Sequence, residues 1–207
     1  MTTPLGSLEV LDRSARRVTI HRVTRETDIS LTVDLDGSGR AEIETGVGFF
    51  DHLLASLAHH GLLDLEVRAT GDLHVDDHHS VEDVALVLGA AVSEALGDRT
   101  RIVRFGDASV PMDEAVATAI VDVGGRPYSV IDLPFRSERA GTLTLQLVPH
   151  ALEAFARTAG ATLHLHGTGR NDHHLAEAAF KALGRALRAA TTPDPRRTGL
   201  ASTKGST

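Results

Sequence analysis

From Arg17 the chain alternates apolar and polar residues in "RRVTIHRVT" and "DISLTVDL", turns at Asp36-Gly37-Ser38-Gly39, and resumes in "RAEIET". Alternation of this kind predicts half-buried strands separated by a glycine-rich turn. The period changes after Gly46-Val47-Gly48. Apolar residues at 50, 53, 54, 57 and 58 in "FFDHLLASLAHH" have helical spacing, and Gly61 ends the run. "LLDLEVRATG" then reads as a strand. "HHSVEDVALVLGAAVSEALG" reads as a helix, with apolar residues at 81, 84, 85, 88, 92 and 95.

The same order recurs in the second half. "VRFGDASV", "AVATAIVDVGG" and "RPYSVIDL" read as strands and "TLQLVPHALEAFARTAG" as a helix, its start blurred by Pro149. "ATLHLHGTG" is a strand and "HHLAEAAFKALGRALRAA" a helix. Laying one half over the other places His52 on His150 and "DHHSVE" on "DHHLAE". The expectation is an α+β fold made by tandem duplication of a β-β-β-α-β-α unit, with helices packed on one face of each sheet. Residues 1–15 read as a flexible leader, 16–98 as the first half-repeat and 99–191 as the second. Residues 192–207 form a polar, Pro- and Gly-rich tail, either disordered or an ordering flap.

Composition narrows the chemistry. Apolar residues make up 42% of the 207, enough for a core, but aromatics are 3% and Trp is absent, so the core is aliphatic. A net charge of −7 argues against a nucleic-acid binder. With no cysteine, disulfides, thiolate metal sites and a Cys nucleophile are excluded. No apolar run approaches the ~18 residues of a membrane span, and no signal-type leader is visible, so a soluble cytoplasmic protein is expected.

The twelve histidines carry the main signal. A helix advances about 100° per residue, so His78, His79 and Glu82 share an arc of about 100° beside the core stripe of Val81, Val84, Ala85 and Leu88. His173, His174 and Glu177 repeat this arrangement, and Asp77 and Asp172 stand where each helix would be capped. A polar first helical turn is common, but two aligned triplets, each with an aligned histidine on the preceding helix, point to metal. The ligand inventory is His52, His78, His79, Glu82, His150, His173, His174 and Glu177. Imidazole and carboxylate without sulfur suit Mn²⁺, Fe²⁺, Zn²⁺ or Co²⁺. Adjacent histidines diverge, so the set divides naturally into two sites of three His and one Glu. His21, His59, His60, His74, His164 and His166 read as structural.

In their order and spacing, "TRETDI" (24–29), "TGVGFFDHLL" (45–54), "DDHHSVEDVALVLG" (76–89), "RFGDASVPMDE" (104–114), "GGRPY" (124–128), "GRNDHHLAEAAFKA" (169–182) and "STKG" (202–205) resemble the imidazoleglycerol-phosphate dehydratase family. The resemblance spans about Arg17 to Lys204. It implies a ribosomal protein S5 domain 2-like duplicated fold, two Mn²⁺ per active site, and a 24-subunit homo-oligomer with sites between subunits. It also implies elimination of water from D-erythro-imidazoleglycerol phosphate to imidazole acetol phosphate, in histidine biosynthesis. Held between two metal ions, the substrate's ring would become an imidazolate able to expel hydroxide. By position, Glu26 matches the acid/base carboxylate and, with His52, Arg104, Arg126, Ser202 and Lys204, the substrate-binding set. Asp113 and Glu114 are left without a role. Gly48 stands where proline is usual, Leu54 where methionine is frequent, and an acidic residue often seen before His150 is missing; none of these is a ligand position. A metallohydrolase and a non-catalytic metal-binding shell share the His/Glu clusters, but the shell has no use for Glu26, Arg104, Arg126 or the tail.

Overall fold

The computed structural model describes residues 7–204. Its elements are β1 (Ser7–Ser14), β2 (Arg17–Val23), β3 (Thr27–Asp34), β4 (Ala41–Glu44), α1 (Gly48–Gly61), β5 (Asp64–Gly71) and α2 (His78–Leu96). There follow β6 (Phe105–Met112), β7 (Ala115–Asp122), β8 (Tyr128–Asp132), β9 (Arg139–Ala140), β10 (Leu143–Thr144), α3 (Leu147–Ala159), β11 (Thr162–Thr168) and α4 (Asp172–Thr191).

The duplication is visible in the strand order. One sheet runs β1-β2-β3-β5-β4 and the other β6-β7-β11-β8. Without β1 the two orders are the same, and β4 and β8 each pair in parallel with their neighbour. Alternating burial along β2, β3, β7 and β11 turns one face of each sheet towards the helices. The helices pack across the halves: α1 lies on α4, and α2 on α3. The core between the sheets is mainly aliphatic, including Ile20, Leu31, Leu53, Leu57, Leu152 and Leu163, each under 3% exposed, with Phe50, Phe155 and Phe180 buried among the helices.

Close helix approach depends on one repeated glycine. A Cβ at Gly89 on α2 would lie 2.4 Å from the Phe155 carbonyl oxygen on α3. A Cβ at Gly184 on α4 would lie the same 2.4 Å from the Leu57 carbonyl oxygen on α1. Both glycines stand at the same place in their repeat. Thr158 uses the space at Gly89 to donate across the helix pair to the Leu86 carbonyl at 2.8 Å.

Two local expectations are corrected, and the open reading of the tail is narrowed. The leader is not loose over residues 7–14, which form the edge strand β1, paired antiparallel with β2. All of it but Leu8 is exposed, so it carries no apolar alternation to read. Residues 144–146 precede α3 rather than belonging to it. Thr144 closes the small β9–β10 hairpin, and Pro149 sits in the first turn of α3, where its missing N–H costs nothing. Between 193 and 201 the tail is tied to residues 100–103. Ile102 bridges Pro193, Thr100 bridges Leu200, and Arg101 donates to the Gly199 carbonyl at 3.1 Å. Gly205, the last residue of "STKG", lies outside the described residues.

Candidate metal centre

The starts of α2 and α4 are fixed in parallel ways, though not by the expected caps. Asp77 stands at the N-cap position of α2 but its side chain makes no capping bond, and Asp172 is the first residue of α4, whose N-cap is Asn171. The capping bonds come one residue earlier: Asp76 accepts from the His78 N–H at 2.9 Å, and Asn171 from the His173 N–H at 3.0 Å. This frees the next acids to moor the helices. Asp77 accepts from the N–H and hydroxyl of Thr144, at 2.6 and 2.8 Å. Asp172 accepts from the N–H groups of Arg136 and Ser137, at 3.0 and 2.6 Å. Buried Asp83 pins α2 to the first sheet, accepting from the Thr27 hydroxyl at 2.5 Å and pairing with Arg22 at 2.6 Å.

Two donor sets result, each built from both halves. His52 of α1 meets His173 and Glu177 of α4, and His150 of α3 meets His78 and Glu82 of α2. In the first set, Glu177 Oε1 lies 3.0 Å from His52 Nε2 and 2.8 Å from His173 Nε2. Burial works against ionisation of Glu177, but Lys181 at 2.6 Å and the two imidazoles hold its carboxyl down at about 2. The Phe49 ring packs on His173 at 4.6 Å. In the second set, Glu82 lies 3.7 Å from His78 Nε2, 3.4 Å from His150 Nε2 and 3.4 Å from Arg157. His150 Nε2 is closed to solvent and makes no hydrogen bond. A buried, unsatisfied imidazole nitrogen beside a carboxylate and a second imidazole is what a divalent cation would occupy, so these residues fit a metal.

His79 and His174 join neither set. Their rings stand nearly perpendicular to those of His78 and His173, at 78° and 82°. Each instead meets carboxylates. His79 Nδ1 is 3.0 Å from Asp72 Oδ2, and its Nε2 is 3.8 Å from Glu26 Oε1. The hydrogen bond to Asp72 raises the His79 pKa, aided by the charge of Glu26. His174 Nδ1 is 2.9 Å from Glu114 Oε2, and its Nε2 is 3.9 Å from Asp113. The His174 bond and the N–H groups of Asn171 and Arg170 hold Glu114 down at about 2. Glu26 lies in the turn before β3, its N–H donating to Thr24 Oγ1 at 3.1 Å.

Arg104, Arg126, Ser202 and Lys204 line one open hollow with Phe105, Gly124, Ala201 and Thr203. Asp122 grips the Arg104 guanidinium through both carboxylate oxygens, at 2.7 and 2.9 Å, and Arg104 also donates to the Ala201 carbonyl, drawing the tail in. Gly124 leaves room for this, since a Cβ there would lie 2.5 Å from Arg104 Nη2. No residue lining the hollow belongs to either His/Glu set.

Sequence reasoning did not find Asp72, Asp83, Asp122 or Lys181. Asp83 and Asp122 act through contacts distant in sequence, Asp72 across a loop and Lys181 on its own helix, and none recurs as part of a repeated motif.

Residues 45–187 match the model of the imidazoleglycerol-phosphate dehydratase family. An imidazoleglycerol-phosphate dehydratase of Methanoculleus marisnigri is 55% identical over 187 residues, covering 90% of this chain and 97% of its own. That of Chloroflexus aggregans is 55% identical over 193 residues, covering 92% and 94%. Among solved structures, the enzyme of Pyrococcus furiosus in complex with (S)-C348 superposes with a TM-score of 0.78 at 36% identity, covering 90% of this chain and 99% of that one. The Staphylococcus aureus enzyme superposes with a TM-score of 0.77 at 34% identity, covering 86% and 99%.

Proposed function

Since this chain belongs to the imidazoleglycerol-phosphate dehydratase family, a family of hydro-lyases, we propose the following assignment of its residues to the elimination of water from imidazoleglycerol phosphate. The observation that carries it is the pair of His/His/Glu sets, each drawn from both halves of the chain.

His52, His173 and Glu177 would hold one ion, and His78, Glu82 and His150 the other, with Mn²⁺ as the metal. When bound, the ions supply Lewis acidity and a template for the substrate's imidazole. His79 and His174 complete the sets of neighbouring chains. This reading is supported by their orientation away from the sets in their own chain, and by the separate location of the phosphate hollow. Active sites at subunit contacts follow, in a homo-oligomer of 24 subunits.

The chain's own residues do the rest. Arg104, Arg126, Ser202 and Lys204 receive the phosphate. The planar guanidinium of Arg104 is fixed by Asp122 before substrate arrives, which lowers the entropy lost on binding. Glu26 moves the carbon-bound proton. Its side chain is half exposed beside His79, and its backbone is held by Thr24 and Asp72, so the carboxylate is free while its base is fixed. Loss of that proton and of hydroxide gives an enol, which becomes the keto product, imidazole acetol phosphate. The reading places this reaction in the cytoplasm; among the described residues no helix is long and apolar enough to cross a membrane.

The test is formation of the keto product from imidazoleglycerol phosphate by purified protein, its loss on chelation and its return with Mn²⁺. Full turnover in protein verified as metal-free would refute the metal assignment.

A further inference from the structure

In each half, the second histidine of the HH pair gives its Nδ1 to a carboxylate, Asp72 for His79 and Glu114 for His174, at 3.0 and 2.9 Å. These acids are not equivalent by descent. Asp72 follows β5, whereas Glu114 immediately precedes β7. The residue that immediately precedes β3, the counterpart of β7, is Glu26. In the first half that carboxylate lies 3.8 Å from the Nε2 side of His79; in the second, its counterpart has turned to the Nδ1 side of His174.

An imidazole that donates its Nδ1–H to a fixed carboxylate keeps its lone pair on Nε2 and holds its ring orientation. Both acids are themselves held. The second oxygen of Glu114 accepts from the N–H groups of Arg170 and Asn171, at 2.9 and 2.7 Å. Asp72 donates its own N–H to the Glu26 carbonyl at 3.1 Å, so one residue ties down both members of the Glu26–His79 contact. We infer that Asp72 and Glu114 are positioning residues, which present Nε2 of His79 and His174 to the metal ions, and that the duplicated carboxylate has divided its work. Glu26 is left free for proton transfer in one half, and Glu114 serves as support in the other. The inference rests on the reading of His79 and His174 as ligands.

Asp72→Asn and Glu114→Gln, with His79→Ala and His174→Ala as references, separate the two ideas. Affinity for Mn²⁺ is measured by competition with a chelator. Tautomers are read from nitrogen–proton correlation spectra of the metal-free proteins in mildly alkaline buffer, and thermal melting monitors the fold. The expected result is that the asparagine and glutamine variants melt like the parent, bind Mn²⁺ about 10- to 100-fold more weakly and lose the Nδ1–H signature. Both acids sit in turns at the surface of the fold, and Asp72→Ser or Glu114→Ser replaces any variant that fails to fold. Parental Mn²⁺ affinity in both carboxylate variants, with metal lost from the alanine variants, would overturn the positioning role and leave the ligand reading intact. Parental affinity in the alanine variants would overturn the ligand reading, and this inference with it.

Discussion

His150 Nε2 lies 3.4 Å from Glu82 Oε1, shut off from solvent and without a hydrogen bond. An unpaired polar atom in that position is a cost to the metal-free fold that a cation would remove. His150→Ala is therefore expected to lose about half the bound metal, keeping the ion at His52, His173 and Glu177, and to lose turnover. Elemental analysis decides; full metal content would show that His150 is not a ligand.

Glu26→Gln preserves shape and hydrogen bonding but cannot take a proton. Turnover is expected to fall by ~10²- to 10⁴-fold, while metal content and particle mass stay at the parental values. Near-parental kcat would exclude Glu26 as the base. Loss of metal would instead make it a support of His79.

The proposed phosphate set contains one clean probe and one compound probe. Arg126→Ala should weaken substrate binding by about 1.5–3 kcal/mol, or one to two decades, through loss of charge-assisted hydrogen bonds. Arg104→Ala removes similar contacts and also frees Asp122 and the Ala201 carbonyl, so residues 193–204 should exchange amide hydrogens faster in that variant alone. Equal exchange in both would show that Arg104 does not hold the tail.

Gly89→Ala forces a methyl group against the Phe155 carbonyl and the Thr158 hydroxyl of α3. Overpacking of this kind costs about 1–3 kcal/mol, measurable by urea unfolding. Since α2 and α3 carry His78, Glu82 and His150, metal affinity should fall as well, although no ligand is altered. An unchanged urea midpoint would mean that the helix pair absorbs the methyl by a small shift.

Acid stability has a defined contributor far from the metal sets. Burial works against ionisation of Asp64, but the Arg40 guanidinium and the N–H groups of Arg40 and Ser38 outweigh it and hold the carboxyl well below its ordinary value. A depressed carboxyl stabilises the fold above its unfolded value, near 3.9, and this contribution is lost as pH falls towards the folded value. Asp64→Asn should be less stable than the parent at neutral pH, with the gap narrowing below about pH 4. A gap independent of pH would show that the amide makes the same contacts.

The duplicated architecture was legible because each element keeps its own hydrophobic period, and because the HHxxE motif marks the same helical turn twice. Periodicity could not reveal β1, which has no buried face, or the β9–β10 hairpin, whose paired stretches are two residues each. The eight candidate ligands could be named from helical geometry and from the alignment of the two halves, but not their grouping. That depends on α1 crossing to α4 and α2 to α3, a long-range packing choice set partly by Gly89 and Gly184. The α4 cap lies one residue before the expected Asp172, and at α2 the expected Asp77 holds the N-cap position while Asp76 makes the bond; in each pair both side chains are competent to cap, and only the tertiary anchors at Thr144 and at Arg136 and Ser137 decide between them.

The crossed helices carry one more consequence. A lone β-β-β-α-β-α unit would own a histidine on its first helix and an HHxxE turn on its second, yet could complete no donor set, since each set takes its parts from opposite units. Two identical units facing one another about a twofold axis would complete both sets at once. The chain is thus a covalently joined symmetric pair. What the covalent link adds is licence for asymmetry, because two positions that would be the same residue in a pair of separate copies can mutate independently once they share a chain. Glu26 and Glu114 are still both glutamates, but they now face different nitrogens of their histidines.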